Sequence, residues 1–249
     1  MRLDRIIAVR NDKTVYKDRN RCLKVFRSGY SKADVLSEAL NQARAEQAGI
    51  PVPKIREIAV IDGKWTIVSD YVTGKTLARL LVEEKKKKKE YTELFVDLQI
   101  DLFSKKCPLL TNLRDKMRRK IAETGLDEEL CSRLYERLEA LPEHDKLCHG
   151  DFDLSNVILT DEGTPCILDW AHATIGNASA DVAQTYLLFR LKGDIPGAEN
   201  YLKLFCQKTG TAREYVEKWM PIVAACRMAK CNEKERGVLY SWVNSPDKY

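Results

Sequence analysis

The stretch His149-Gly150-Asp151-Phe152-Asp153-Leu154-Ser155-Asn156, followed by Ile167-Leu168-Asp169-Trp170, decides the reading of this chain. Between the two motifs lie the β-prone run Val157-Ile158-Leu159-Thr160, the turn signal Asp161-Glu162-Gly163 and a second apolar run, Pro165-Cys166-Ile167-Leu168. Two such runs around a glycine turn predict a hairpin. Asn156 stands just before its first strand and Asp169 just after its second, so an amide oxygen and a carboxylate are brought to one end. Magnesium takes hard oxygen ligands, commonly only one or two from protein, with phosphates and water completing the octahedron. Asp151, Asn156 and Asp169 also have the order and spacing of a phosphoryl-transfer site. There, one aspartate accepts the proton of the attacking hydroxyl, and an asparagine and a second aspartate hold the metal against nucleotide phosphates. A lone Asp-x-x-x-x-Asn carries little weight. The full string, with Lys146-Leu147-Cys148 before it and the hairpin behind it, is far more specific.

Such a site also needs a cation on the phosphates and a carboxylate to hold that cation. Arg5 to Arg10, Thr14 to Lys17 and Arg21 to Arg27 read as three short strands, with turns at Asn11-Asp12 and Asp18-Arg19-Asn20. Leu23-Lys24-Val25-Phe26 places a lysine between apolar residues. That lysine is either the phosphate cation or an ordinary lysine on the solvent face of a strand. A helix follows: Ser31 is its N-cap candidate, with Asp34 three residues on. Its apolar stripe runs through Val35, Leu36, Ala39, Leu40 and Ala43, and Gly49 and Pro51 stop it. Glu38 falls near the middle of that stripe. Glu46, the competing partner for Lys24, sits towards the C-terminal end, where the helix dipole disfavours a carboxylate. The apolar strand and polar turn Trp65 to Gly74 come next. They read equally as a plain strand and turn, or as a hinge whose backbone meets a nucleotide base.

The series of motifs resembles the aminoglycoside phosphotransferase and choline kinase group of small-molecule kinases, over nearly the whole chain. Besides the two opening motifs, Gly176-Asn177-Ala178-Ser179-Ala180-Asp181-Val182-Ala183 carries the likeness, with weaker support from Ala48-Gly49-Ile50-Pro51-Val52-Pro53 and Leu23-Lys24-Val25-Phe26. The resemblance implies an α+β, protein-kinase-like two-lobe fold: a small antiparallel β-sheet lobe at residues 1–72 and a larger, mainly helical lobe at 73–249. It implies Asp151 as the catalytic aspartate, Asn156 and Asp169 as magnesium ligands, and Lys24 with Glu38 as the phosphate-binding pair. The Asp70 carbonyl and Val72 amide would read the adenine edge, and His149 and Asp181 would support the catalytic loop. The cofactors implied are Mg2+ and ATP or another nucleoside triphosphate.

Two departures shape that expectation. Protein kinases cover the phosphates with a Gly-x-Gly-x-x-Gly loop, whereas the first glycine here is Gly29. The turn Asn11-Asp12-Lys13-Thr14 must do that work with backbone amides, the Thr14 hydroxyl and Lys13. Protein kinases also carry an arginine before the catalytic aspartate and an Ala-Pro-Glu after the second aspartate. Gly150 precedes Asp151 and no Ala-Pro-Glu follows Asp169, so a hydroxyl-bearing small molecule is the expected acceptor rather than a protein. A catalytically silent, nucleotide-binding protein is the alternative that the missing glycines motivate.

Composition agrees. With 249 residues and 44% hydrophobic content, the chain can bury a substantial core. It contains no run of eighteen apolar residues and no apolar leader behind its charged N-terminus, so neither a membrane span nor secretion is expected. Eight scattered cysteines without a Cys-x-x-Cys pair read as reduced thiols of a cytoplasmic protein. The lysine run at residues 85–89 is flanked by glutamates and reads as a solvated face, with nucleic acid or anionic lipid as the competing partner. Trp219, Met220, Ile222, Val223 and Met228 read as core at helical spacing. The net charge of +5 argues against a polycationic acceptor. Glu233, Glu235 and Asp247 are the acids that could still build a pocket for one. Choline, an amino-acid alcohol or a sugar also fits.

Overall fold

The computed structural model describes residues 5–10, 12–229 and 231–245. Asn11 of the expected phosphate turn and Asp247 lie outside the described residues. The fold is α+β. In chain order the elements are β1 (Arg5–Val9), β2 (Lys13–Asp18), β3 (Arg21–Phe26), α1 (Lys32–Gln47), β4 (Ile55–Ile61), β5 (Lys64–Asp70), β6 (Lys75–Thr76), α2 (Leu77–Glu83) and α3 (Lys88–Ser104). They continue with α4 (Leu113–Ala122), α5 (Glu128–Ala140), β7 (Lys146–Cys148), β8 (Val157–Leu159), β9 (Pro165–Ile167) and β10 (Thr174–Gly176). The chain then runs through α6 (Ala178–Leu191), α7 (Ile195–Thr209), α8 (Arg213–Glu217), α9 (Met220–Met228) and α10 (Glu233–Val243).

Contacts divide the chain into two compact units. The first joins the residues up to Tyr91 with Leu154–His172; the second joins Thr92–Asp153 with the residues from Ala173 onward. The first unit holds an antiparallel sheet in the order β1-β2-β3-β5-β4. Period-2 alternation sorts the side chains of β3. Leu23 and Val25 pack with Val68 on one face, and Phe26 packs with Val35, Ala39 and Ile67 on the other. Lys24 shares the Phe26 face, which α1 covers.

Helix α1 starts at Ser31, whose hydroxyl accepts from the Asp34 amide at 3.3 Å. Gly49, at φ +79°, turns the chain out of it. Its buried face differs from the stripe expected from polarity: Leu36 and Leu40 are exposed, while Glu38, Asn41 and Gln42 are buried beside Val35, Ala39 and Ala45. The buried polar groups have partners. Asn41 donates to the Trp170 carbonyl at 3.3 Å and Gln42 to the Pro53 carbonyl at 2.6 Å, which removes most of the cost of burying them.

A second, three-stranded sheet in this unit, β6-β8-β9, contains the expected hairpin, with Val157 opposite Ile167. Gly74 leads into β6 at φ +136°, and a Cβ there would stand 2.3 Å from the Leu159 carbonyl oxygen. Only glycine lets the two backbones come that close.

The second unit is helical around the two-stranded β7–β10 ladder, in which Thr174 faces Cys148. Its core includes Phe95 stacked on Phe152 at 4.6 Å and Phe189 stacked on Tyr201 at 5.6 Å. Trp219, Met220, Ile222 and Val223 are buried in it. Among the described residues, no helix is long and apolar enough to cross a membrane. Lys85–Lys87 form a short 3-10 helix, and the lysines from 85 to 89 are exposed.

Candidate active site

In the first unit, four charged side chains meet. Lys24 on β3 projects through the α1-covered face and pairs with Glu38, which is 3% exposed. Glu46, the competitor, is exposed. Lys24 also lies 3.4 Å from Asp169. Lys13, at the start of β2, donates to both Asp169 carboxylate oxygens at 3.0 and 3.1 Å and stands 3.6 Å from Glu38. Burial pushes the Asp169 carboxyl up, but the ammonium groups of Lys24 and Lys13 outweigh it and hold the group well below the ordinary carboxylate range. For Lys24, burial favours the neutral amine, and Asp169 and Glu38 reverse that, so the ammonium is held more firmly than in water.

Asp169 reaches this position through local backbone geometry. The ladder ends at Val157 and Ile167, and the Leu168 amide then donates to the Asn156 carbonyl at 2.7 Å. The chain turns at Asp169 itself, at φ +63°. Asp and Asn tolerate this left-handed conformation better than most residues with a side chain. An anionic carboxylate and an amide thus flank one end of the hairpin, a donor set that suits a hard divalent cation. Among the described residues, no group of three or more His, Cys, Asp or Glu side chains gathers as a metal site. Magnesium needs no such group when phosphates supply the other oxygens.

Before β2, the Arg10 amide donates to the Lys13 carbonyl at 2.9 Å, and the Arg27 amide donates to the Asp12 carbonyl at 2.8 Å, extending the β2–β3 ladder. Thr14 lies opposite Val25 in β2, half-buried. Among the described residues of the expected phosphate turn, Lys13 is the side chain that joins the charged cluster. At the other end of the sheet, the Asp70 amide donates to the Lys54 carbonyl at 2.9 Å. The Asp70 carboxylate forms a bidentate pair with Arg56 at 2.6 and 2.8 Å. Val72 follows, half-buried, in the segment between β5 and β6.

The second unit builds the loop after β7. Gly150 adopts φ +76°, and the amides of His149 and Gly150 both turn onto the Asp181 carboxylate, at 3.3 and 2.6 Å. Asp181 sits in the first turn of α6, which Asn177 caps. It also accepts from the Gln99 side chain at 3.0 Å. Gln99 in turn bonds Thr185 at 3.1 Å and accepts from the Tyr201 hydroxyl, and Thr185 donates to the Phe152 carbonyl at 3.0 Å. His149 is fully buried and accepts the Asp151 amide at Nδ1, 3.2 Å away, so the ring proton belongs on Nε2. Asp151 itself is half-exposed.

Gln99 has no motif to announce it. Its one signal is a polar residue among Tyr91, Phe95 and Leu102 on the buried face of α3. Lys192, which pairs with Asp153 in this unit, carries no signal at all. Of the acids considered for an acceptor pocket, Glu235 is engaged with Arg227 at 3.1 Å and with the Asn232 cap of α10, and Glu233 is exposed.

The model of the phosphotransferase enzyme family (APH) matches residues 9–216. Among solved structures, an aminoglycoside-3'-phosphotransferase of type VIII is 18% identical at a TM-score of 0.65, over 90% of this chain and 92% of its own. A thermostable mutant of aminoglycoside phosphotransferase APH(4)-Ia, in ternary complex with ADP and hygromycin B, is 15% identical at a TM-score of 0.70, over 96% and 89%. A choline/ethanolamine kinase family protein from Mesorhizobium loti is 14% identical at a TM-score of 0.65, over 99% and 89%. These likenesses show a shared, protein-kinase-like fold. No curated protein matches the sequence.

Proposed function

The chain belongs to the phosphotransferase enzyme family, and we propose that it moves the terminal phosphoryl group of ATP, or another nucleoside triphosphate, to a hydroxyl of a small molecule. The observation that carries this reading is the partly buried meeting of Lys24, Glu38 and Asp169. A structural protein gains little from gathering buried charges at a desolvation cost, whereas phosphoryl transfer needs that set. The ADP complex of one structural relative supports a nucleotide as the donor.

In this reading Asp151 orients the acceptor hydroxyl and accepts its proton. Asp181, receiving the two loop amides, fixes the backbone that presents Asp151. Glu38 holds Lys24 extended towards the phosphates, where its charge offsets the negative charge that develops on them. Asn156 and Asp169 would hold magnesium, whose chemistry is to neutralise and orient the phosphates. Asp70 and Val72 would present backbone groups to the base. Eight cysteines, none of them in a disulfide, support a reducing, cytoplasmic setting. The net charge of +5 and the engagement of Glu235 favour a neutral, zwitterionic or anionic acceptor over a polycation.

A screen of small hydroxylated compounds with ATP and magnesium, reading ADP release above the no-acceptor background, tests this. One active compound is expected. With it, Asp151→Asn should lose on the order of 10²–10⁴-fold in turnover, the range of a general base, while binding ATP like the parent. Near-parental turnover in that variant would remove Asp151 from its role. The glycine-free phosphate turn motivates a second reading, a silent nucleotide-binding protein. ATP binding with no ADP release across the whole screen would favour it.

A further inference from the structure

Lys13 occupies the position where a protein kinase carries its glycine-rich loop, and its side chain is drawn inward until it is only 11% exposed. A lysine in this part of a sheet ordinarily reaches water. Here its ammonium covers both oxygens of Asp169, at 3.0 and 3.1 Å, while Lys24 sits closer to Glu38. Two ammonium groups and two carboxylates balance one another.

A divalent cation on Asp169 must take at least one of the oxygens that Lys13 covers, and the two positive charges repel strongly in a partly buried site. Resting on the phosphotransferase reading, we propose that Lys13 is the resident counter-ion of Asp169 in the nucleotide-free protein. It gives up that carboxylate when a metal–nucleotide complex enters and moves its ammonium onto the triphosphate. Charge balance sets the direction. Metal alone would leave two excess positive charges in the cluster and a displaced ammonium with only Glu38, which Lys24 already holds, as counter-ion. Metal with a triphosphate supplies that partner. Metal and nucleotide thereby raise each other's affinity, and the coupling is reciprocal. A flexible, strongly hydrated ammonium suits such a transfer better than a glycine loop, which offers only backbone amides.

The test is a titration with Mn2+, followed by its electron paramagnetic resonance signal, on the parent, Lys13→Met and Lys13→Arg. Each is measured alone and with a non-hydrolysable ATP analogue. Lys13→Met should bind Mn2+ alone about tenfold more tightly than the parent, and the Mn2+–nucleotide complex about tenfold more weakly, each shift equal to about 1.4 kcal/mol. Lys13→Arg, keeping the charge, should stay near the parent in both. Unchanged Mn2+ affinity in Lys13→Met overturns the counter-ion role, and unchanged nucleotide affinity overturns the transfer to phosphate. Weaker binding in both arms with a lowered melting temperature also overturns it, because Lys13 is then only a structural brace. The nucleotide-free arm needs neither acceptor nor turnover, so it reads Lys13 even if no acceptor is found. A parent that binds no nucleotide would overturn the phosphotransferase reading and the transfer to phosphate with it.

Discussion

At the scale of single residues, Asp169 concentrates the most physical chemistry. It is an anion held between two lysines, on a left-handed backbone, at the end of a short hairpin. Its folded-state pKa lies below the ordinary carboxylate value of about 3.9. A depressed carboxylate contributes stability that is fully present above the unfolded pKa and lost as pH falls through the folded one. Asp169→Asn keeps the side-chain shape and tolerates the same backbone, so it removes the charge alone. The stability gap between parent and Asp169→Asn, from urea melts at a series of pH values, should be constant from pH 7 down to about 5 and shrink below about 4. A gap that widened on acidification would mean that the carboxylate is not held by cations. Asn156 is the milder neighbour at the same hairpin end. In magnesium titrations of ATP affinity, Asp169→Asn should lose metal dependence and Asn156→Ala should lose less, because water replaces a neutral oxygen more easily than an anionic one.

At the scale of elements, α1 shows how far polarity along the chain can be read. Its start at Ser31 and its stop at Gly49 follow from local rules, and Glu38 rather than Glu46 meets Lys24, in keeping with the dipole argument though not with the polarity stripe. Its inward face does not follow. Leu36 and Leu40 look like core and are exposed; Asn41 and Gln42 look like surface and are buried. Their partners, the Trp170 and Pro53 carbonyls, are supplied by other parts of the chain. A pattern that scores each residue by its own polarity cannot see a distant acceptor. The same blindness hides Gln99, whereas the hairpin at Val157–Ile167 was legible because strand, turn and strand are consecutive. The helix gives a direct check by thermal denaturation. Leu40→Gln should change stability by no more than about 0.5 kcal/mol, as a surface change does. Val35→Ala, a few residues away on the buried face, should cost about 2 kcal/mol through the space it leaves. Equal losses would mean that α1 packs on its leucine face after all.

At the scale of the whole molecule, each unit is assembled from two separated stretches of chain. The sheet of β1–β5 lies in the first 91 residues, but its unit is completed by Leu154–His172, which brings Asp169 to Lys13 and Lys24 and the Ile167 amide to the Pro51 carbonyl at 2.9 Å. A fragment ending at Tyr91 should therefore lack a cooperative thermal transition by circular dichroism. The same fragment joined through a flexible linker to Leu154–His172 should regain one; two equally cooperative melts would show that the later stretch adds nothing to the unit. The order of the stretches also sets a timetable for the nascent chain. A ribosome adds about 5–20 residues per second, so the first sheet leaves the exit tunnel roughly ten seconds before its closing hairpin is made. During that interval the first unit lacks Asp169 and the rest of its closing stretch, and apolar residues of its sheet stay open to solvent. The chain is then most exposed to chaperones and proteases in the middle of its synthesis, and a translational pause between residues 92 and 153 would lengthen that exposure.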